Sequence, residues 1–260
     1  MKKTRRGRRK GNKNKNISKS LRLVGVYCAG LSNKLFTFKK MVAELKPSVF
    51  YFEETKYKEE GKLKLDNFVI FELVMESKEG GGLALGCVKE LNPVLVRKGD
   101  EEVEAMSVDI FVKTMRIRCV VAYGCQENSL VERKNKFWSF IEEEVITSWN
   151  SGFGFILQCD GNLWAGPDLI PGDPRPQNNN GRLFQEFLSR NPNLTVVNAL
   201  SLCEGVVTRI RNKDGKEERS VLNFFIVCSR VLPYITRMVI DVSRKHNLTN
   251  YKQAKHVYRL

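Results

Sequence analysis

Three short stretches of this sequence end an apolar run on polar groups suited to phosphate or metal chemistry. Val49-Phe50-Tyr51-Phe52 leads into Glu53-Glu54-Thr55-Lys56, residues 154–159 lead into Asp160-Gly161-Asn162, and Val120-Val121-Ala122 leads into Tyr123-Gly124. A carboxylate at the mouth of a strand is placed to hold a hard cation. An amide two residues on points the same way, toward a phosphate or an attacking water. Each stretch also has a plain structural reading. Glu53-Glu54 reads as an exposed strand end, Asp160–Asn162 as a turn with Gly161 left-handed, and Tyr123 as a half-buried aromatic.

Short β-rich runs alternate with helical patterns from Leu21 onward, as in an α/β or α+β domain. The runs predict strands at 22–28, 49–53, 68–74, 82–88, 103–113, 116–122, 154–158, 195–198, 206–211 and 221–227. Apolar spacings of three and four predict helices at 36–45 and 130–149, with a shorter one at 180–188. Strands outnumber helices, so two sheets with helices outside follow more naturally than one doubly wound sheet. Asp214-Gly215 is placed to turn a hairpin between 206–211 and 221–227. The Pro-rich segment 165–180 reads as a long ordered loop beside an acidic strand end, and loops of that length are usually functional. Phe137, Trp138, Phe140 and Ile141, like Phe184 and Phe187, read as buried helix stripes. Trp164 is placed either to stack on a base or to anchor its loop.

The 260 residues carry 44 Lys+Arg against 29 Asp+Glu, a formal charge of +15. Ten of those basic residues and no acid fall in residues 1–20, leaving a net of +5 for the rest. The expectation is a disordered basic arm at 1–20 with a polyanionic partner or an import role, followed by one domain at 21–260. The sequence shows neither an apolar run of spanning length nor a signal-peptide core, so the expected setting is intracellular, away from membranes. Seven cysteines without a CxxC pair suit neither a zinc site nor a disulfide framework and read as reduced core residues.

Seven segments in order carry a resemblance. They are YCAGLSNKL (27–35), FEETK (52–56), GGGLALG (80–86), VAYGCQEN (121–128), CDGNLWAG (159–166), NNNGRLFQEFL (178–188) and SVLNFFIVC (220–228). Together they resemble the endonuclease/exonuclease/phosphatase superfamily, and within it the endonuclease domain of non-LTR retrotransposons. The resemblance implies a DNase I-like four-layer sandwich of two mixed β-sheets flanked by helices, and a phosphodiesterase that uses Mg²⁺ or Mn²⁺. Glu54 would bind the metal, Tyr123 would hydrogen-bond the scissile phosphate, Asp160 would orient or deprotonate the water, and Asn162 would position it. DNA is the implied partner, with RNA a second one for the basic arm, and the nucleus the implied location.

Three departures from that pattern lead to an expectation of impaired or absent turnover, a pseudoenzyme. Tyr27 stands where the family carries Asn in its first motif. Asn223 stands where it carries the Asp that orients the catalytic histidine. The closing Ser-Asp-His is missing, since the only histidines, His246 and His256, each follow a lysine. Residues 238–251 resemble the stretch upstream of that motif, so the last strand is expected to be missing. The rival reading is a non-catalytic nucleic-acid-binding protein that works through its basic arm.

Overall fold

The computed structural model describes residues 21–75, 81–213 and 215–241, with the backbone of two strands beyond them. The basic arm and His246 lie outside the described residues. The first half of the chain forms β1 (Arg22–Tyr27), α1 (Leu35–Leu45), β2 (Val49–Glu53), β3 (Phe68–Leu73), β4 (Leu83–Val88), β5 (Val94–Lys98), β6 (Ala105–Val112) and β7 (Met115–Tyr123). There follow α2 (Val131–Asn150), β8 (Gly154–Asp160), α3 (Asn179–Arg190), β9 (Leu194–Val196), β10 (Cys203–Glu204), β11 (Arg209–Lys213) and β12 (Lys216–Ser220). The last strands are β13 (Asn223–Cys228), β14 (Arg237–Asp241), β15 (Lys252–Gln253) and β16 (Lys255–Arg259).

Two large sheets pack face to face. One has the order β10-β14-β16-β1-β2-β4-β3, the other β5-β6-β7-β8-β13-β9. Parallel pairs, β1 with β2 and β7 with β8, sit beside antiparallel ones in each. The reason β2 reads as one unbroken apolar run is that both its faces are covered. Val49 and Tyr51 turn inward to the core between the sheets, while Phe50 and Phe52 turn outward under α1. There the Phe38 ring meets the Phe50 and Phe52 rings edge-on at 5.3 and 4.6 Å. On the far side α2 and α3 cover the second sheet, with Trp138 stacked on Phe187 at 4.9 Å and Phe184 against Phe224 at 5.1 Å. The expected four-layer sandwich is therefore present, and the aromatic stripes of α2 and α3 are core.

Space is tight between α1 and the first sheet. Gly86 lies opposite Phe50 across β2 and β4, and a Cβ there would sit 2.0 Å from the end of the Phe50 ring. Gly86→Ala is therefore expected to cost about 1–3 kcal/mol by forcing the ring off its position, read as a lower urea midpoint with unchanged slope.

Two expectations need correction. The strand before Gly215 pairs with β12, not with 221–227: Arg209 pairs with Ser220 and Lys213 with Lys216, while 223–228 crosses into the other sheet as β13, and Asp214 lies outside the described residues. The charged run Lys-Glu-Glu-Arg-Ser carries no apolar alternation by which a strand could be recognised. The sheet also does not lack its last strand. β16 lies between β1 and β14, antiparallel to both, with Lys255 opposite Val26 and Asp241. It is short and basic, and its place comes from two neighbours with free backbone groups rather than from its own pattern.

All seven cysteines are free. Five are buried and Cys125 and Cys203 are partly so, as their apolar settings suggest. Among the described residues no helix is long and apolar enough to cross a membrane.

Candidate active site

The polar strand ends meet at one end of the sandwich. In the second sheet Tyr123, Asp160 and Asn223 lie in one row across β7, β8 and β13, since Asp160 pairs with both of the others. In the first sheet Tyr27 pairs with Glu53 across β1 and β2. Strand parity turns Glu53, like Val49 and Tyr51, toward the opposite sheet. There its Oε1 accepts the Asp160 backbone N–H at 3.1 Å, which ties the sheets together at the site. Gly124 N–H donates to the Asp160 carbonyl at 2.7 Å. A side chain at Gly124 would strike the Gly161 carbonyl at 2.4 Å, so the loops after β7 and β8 touch there.

Glu54, Tyr123, Asp160, Asn162 and Asn223, the residues singled out in the sequence, are thus gathered together. The Tyr123 hydroxyl donates to Glu54 Oε1 at 3.0 Å. Asn162 N–H donates to Asp160 Oδ1 at 3.0 Å, and its Nδ2 to the Gly124 carbonyl at 2.8 Å. Asn162, not Gly161, takes the left-handed conformation, with φ +46°. Ala29, Glu54 and Lys56 are left-handed too, at +42°, +55° and +56°. Such backbone is disfavoured for side chains with a Cβ, and its concentration where β1, β2 and β8 end is typical of functional loops. Asn223 makes no hydrogen bond of ordinary geometry from its own amide, yet lies near enough to Asp160 to favour the ionised carboxylate.

Burial dominates the electrostatics. It pushes Asp160 up to about 7, against the Asn162 N–H and the charge of Arg209, which hold it down. Glu53, fully buried, is raised by the same cause and by Asp160 beside it. The Tyr27 and Tyr123 hydroxyls are held far above the ordinary phenol range, again chiefly by burial.

Several supports were not legible in the sequence. Thr208 Oγ1 accepts the N–H groups of Leu222 and Asn223 at 2.7 and 3.2 Å, fixing the entry of β13. Asn198 bridges the Asn223 carbonyl and the Phe225 N–H at 3.1 and 2.8 Å. Asn180 Nδ2 donates to the Cys125 and Asn162 carbonyls at 2.9 and 3.1 Å, joining α3 to both loops. A lone Thr or Asn among apolar residues gives no warning of such a role. The Pro-rich loop is ordered as expected, with Asn178 capping α3 through Gly181 N–H at 2.9 Å. Trp164 is partly buried under the Arg175 guanidinium, 5.0 Å from the ring centre.

These residues fit a hard divalent cation poorly. Glu54 accepts a hydrogen bond from the Tyr123 hydroxyl, and the Lys56 ammonium stands 3.9 Å from its Oε2. A cation would need those lone pairs, and Mg²⁺ tolerates little departure from octahedral oxygen geometry. Among the described residues no group of three or more His, Cys, Asp or Glu side chains is arranged to hold a metal.

An α/β sandwich of two mixed sheets with polar strand ends converging at one mouth is a DNase I-like fold. The chain is similar to the endonuclease domain of TRAS1, a telomere-specific non-LTR retrotransposon, at 14% identity and TM-score 0.70, covering 92% of this chain and 98% of that one. It is similar also to the AP endonuclease LMAP of Leishmania major, at 16% identity and TM-score 0.73, covering 94% of this chain and 88% of that one. The 3′-5′ exonuclease NExo of Neisseria meningitidis matches at 13% identity and TM-score 0.70, covering 92% of this chain and 98% of that one. No family model matches the sequence, and no curated protein matches it.

Proposed function

We propose that this chain is a retroelement-type endonuclease domain that retains the nuclease fold and a nucleic-acid-binding mouth while its metal-dependent phosphodiester hydrolysis is severely reduced or lost. The observation that carries this reading is the engagement of Glu54, the expected metal ligand, by the Tyr123 hydroxyl and the Lys56 ammonium. Asn223 beside Asp160 supports it, because an amide cannot supply the charge that a histidine partner would need. So does the start of β16, which reaches the site's end of the sheet as Lys255-His256 rather than Asp-His. DNA is the proposed ligand, and residues 1–20, rich in Lys and Arg, are the proposed second source of affinity, consistent with a nuclear setting.

The test is nicking of supercoiled plasmid by the full chain in Mg²⁺ and in Mn²⁺. The expected result is conversion no faster than in buffer. Robust cleavage abolished by Asp160→Ala would overturn the assignment of lost turnover.

A further inference from the structure

The mouth that fits a divalent cation poorly is not short of positive charge. Lys56 follows Glu54 by two residues, the spacing that sets side chains on the same side of an extended chain, and both are held left-handed where the chain leaves β2. The Lys56 ammonium lies 3.9 Å from Glu54 Oε2, with the side chain about 40% exposed while that of Glu54 is about 15% exposed. It is close enough to offset the carboxylate's charge and too far to be spent on a hydrogen bond with it. A second ammonium stands behind it. Lys34 Nζ donates to the Cys28 and Ala29 carbonyls at 2.9 and 3.2 Å, which pins the loop after β1 against the site. Lys56, Lys34 and, further along the mouth, Arg133 are thus set against the carboxylates of Glu54, Glu102 and Glu104, with the Tyr27 and Tyr123 rings 6.4 Å apart as a wall.

We propose that the Lys56 ammonium takes the place of the divalent cation beside Glu54, making this mouth a metal-free receptor for one phosphate of a nucleic-acid backbone. Lysine is suited to the part: a compact ammonium binds phosphate as a point charge and needs no coordination geometry. Glu54, held by the Tyr123 phenol, orients the ammonium, and the exposed end of the lysine stem leaves it free to move onto an incoming anion. The inference rests on the nucleic-acid reading above and adds to it the statement that binding is independent of metal.

The experiment measures affinity of the full chain for a fluorescent DNA duplex across a salt series, in EDTA and in Mg²⁺, for wild type, Lys56→Gln and Lys113→Gln. Lys113 is exposed on the turn between β6 and β7, at the opposite end of the strands from Tyr123, and serves as the charge-matched control. Mg²⁺ should not strengthen wild-type binding over that in EDTA, since it can act only as a competing counterion. Lys56→Gln should weaken binding and flatten the slope of log affinity against log salt by about 0.9, the value of one phosphate contact, while Lys113→Gln changes neither. Binding that survives in Lys56→Gln with its slope intact overturns the inference and leaves the nucleic-acid reading standing. Absence of DNA binding by the wild type overturns both. Independently of DNA, Mn²⁺ added to the wild type should stay free by electron paramagnetic resonance. Saturable Mn²⁺ binding that Glu54→Gln removes would also overturn the inference.

Discussion

Asp160→Asn is expected to make the protein more stable, and only at neutral and alkaline pH. Burial raises the Asp160 carboxyl in the folded chain to about 7, whereas in the unfolded chain it titrates in the ordinary aspartate range. Between those two values the folded state holds a proton that the unfolded state has released, so stability falls as pH rises through the interval and stays low above it. Three units of displacement correspond to on the order of 4 kcal/mol at full effect. Asparagine reproduces the neutral acid without the ionisation, and its Oδ1 still accepts the Asn162 N–H. The melting temperature of Asp160→Asn should exceed that of the wild type by about 10 °C near pH 8 and match it near pH 4. An equal change at both pH values, or a loss at both, would show that the buried carboxylate is not strained. A stabilising substitution at that position is the mark of a residue kept for something other than folding.

The second large effect lies away from the site. Arg118, buried on β7, donates to Asp109 on β6, with Nε to Oδ1 at 2.5 Å, and to Glu144 on α2, so one guanidinium clamps the helix to the sheet through two buried carboxylates. Arg116 shares Asp109, with NH2 to Oδ2 at 2.6 Å, whereas Arg97 stands 3.8 Å from Glu144. Removing Arg118 leaves Glu144 nearly unpaired in a dry layer. Arg118→Ala is expected to cost about 3–5 kcal/mol, because an uncompensated buried charge is worse than no ion pair at all. Urea unfolding should show the midpoint fall with little change in slope. A loss below about 1 kcal/mol would mean that water or Arg97 reaches Glu144 once the guanidinium is gone.

What the sequence disclosed depended on whether burial left a pattern. β2 and β8 are covered on both faces and stand out as unbroken apolar runs, and α2 and α3 show their aromatic stripes at helical spacing. β5 is a sheet edge with residues Val94–Arg97 exposed, and β12 is mostly charged, so neither bore a burial pattern to read. β16 is fixed by strands far away in sequence. The site followed the same rule. Glu54, Tyr123, Asp160 and Asn162 could be singled out because they lie at the ends of apolar strands, and Asn223 because it opens one, in a familiar order. Glu53 read as an exposed neighbour and proved to be a fully buried link between the sheets. Lys56 carried no warning, because the place of its ammonium beside Glu54 is set by the folded loop after β2.

The placement of β16 has a consequence for synthesis. β1 is made long before its neighbour on one side, which forms only when residues 255–259 emerge. Until then β1 and β14 each present an unsatisfied edge in the middle of what will be a continuous sheet, and exposed edges invite pairing with other chains. Closing so long a stretch of chain is also slow. Until that strand slides into the gap, both edges stay open to pairing with other chains.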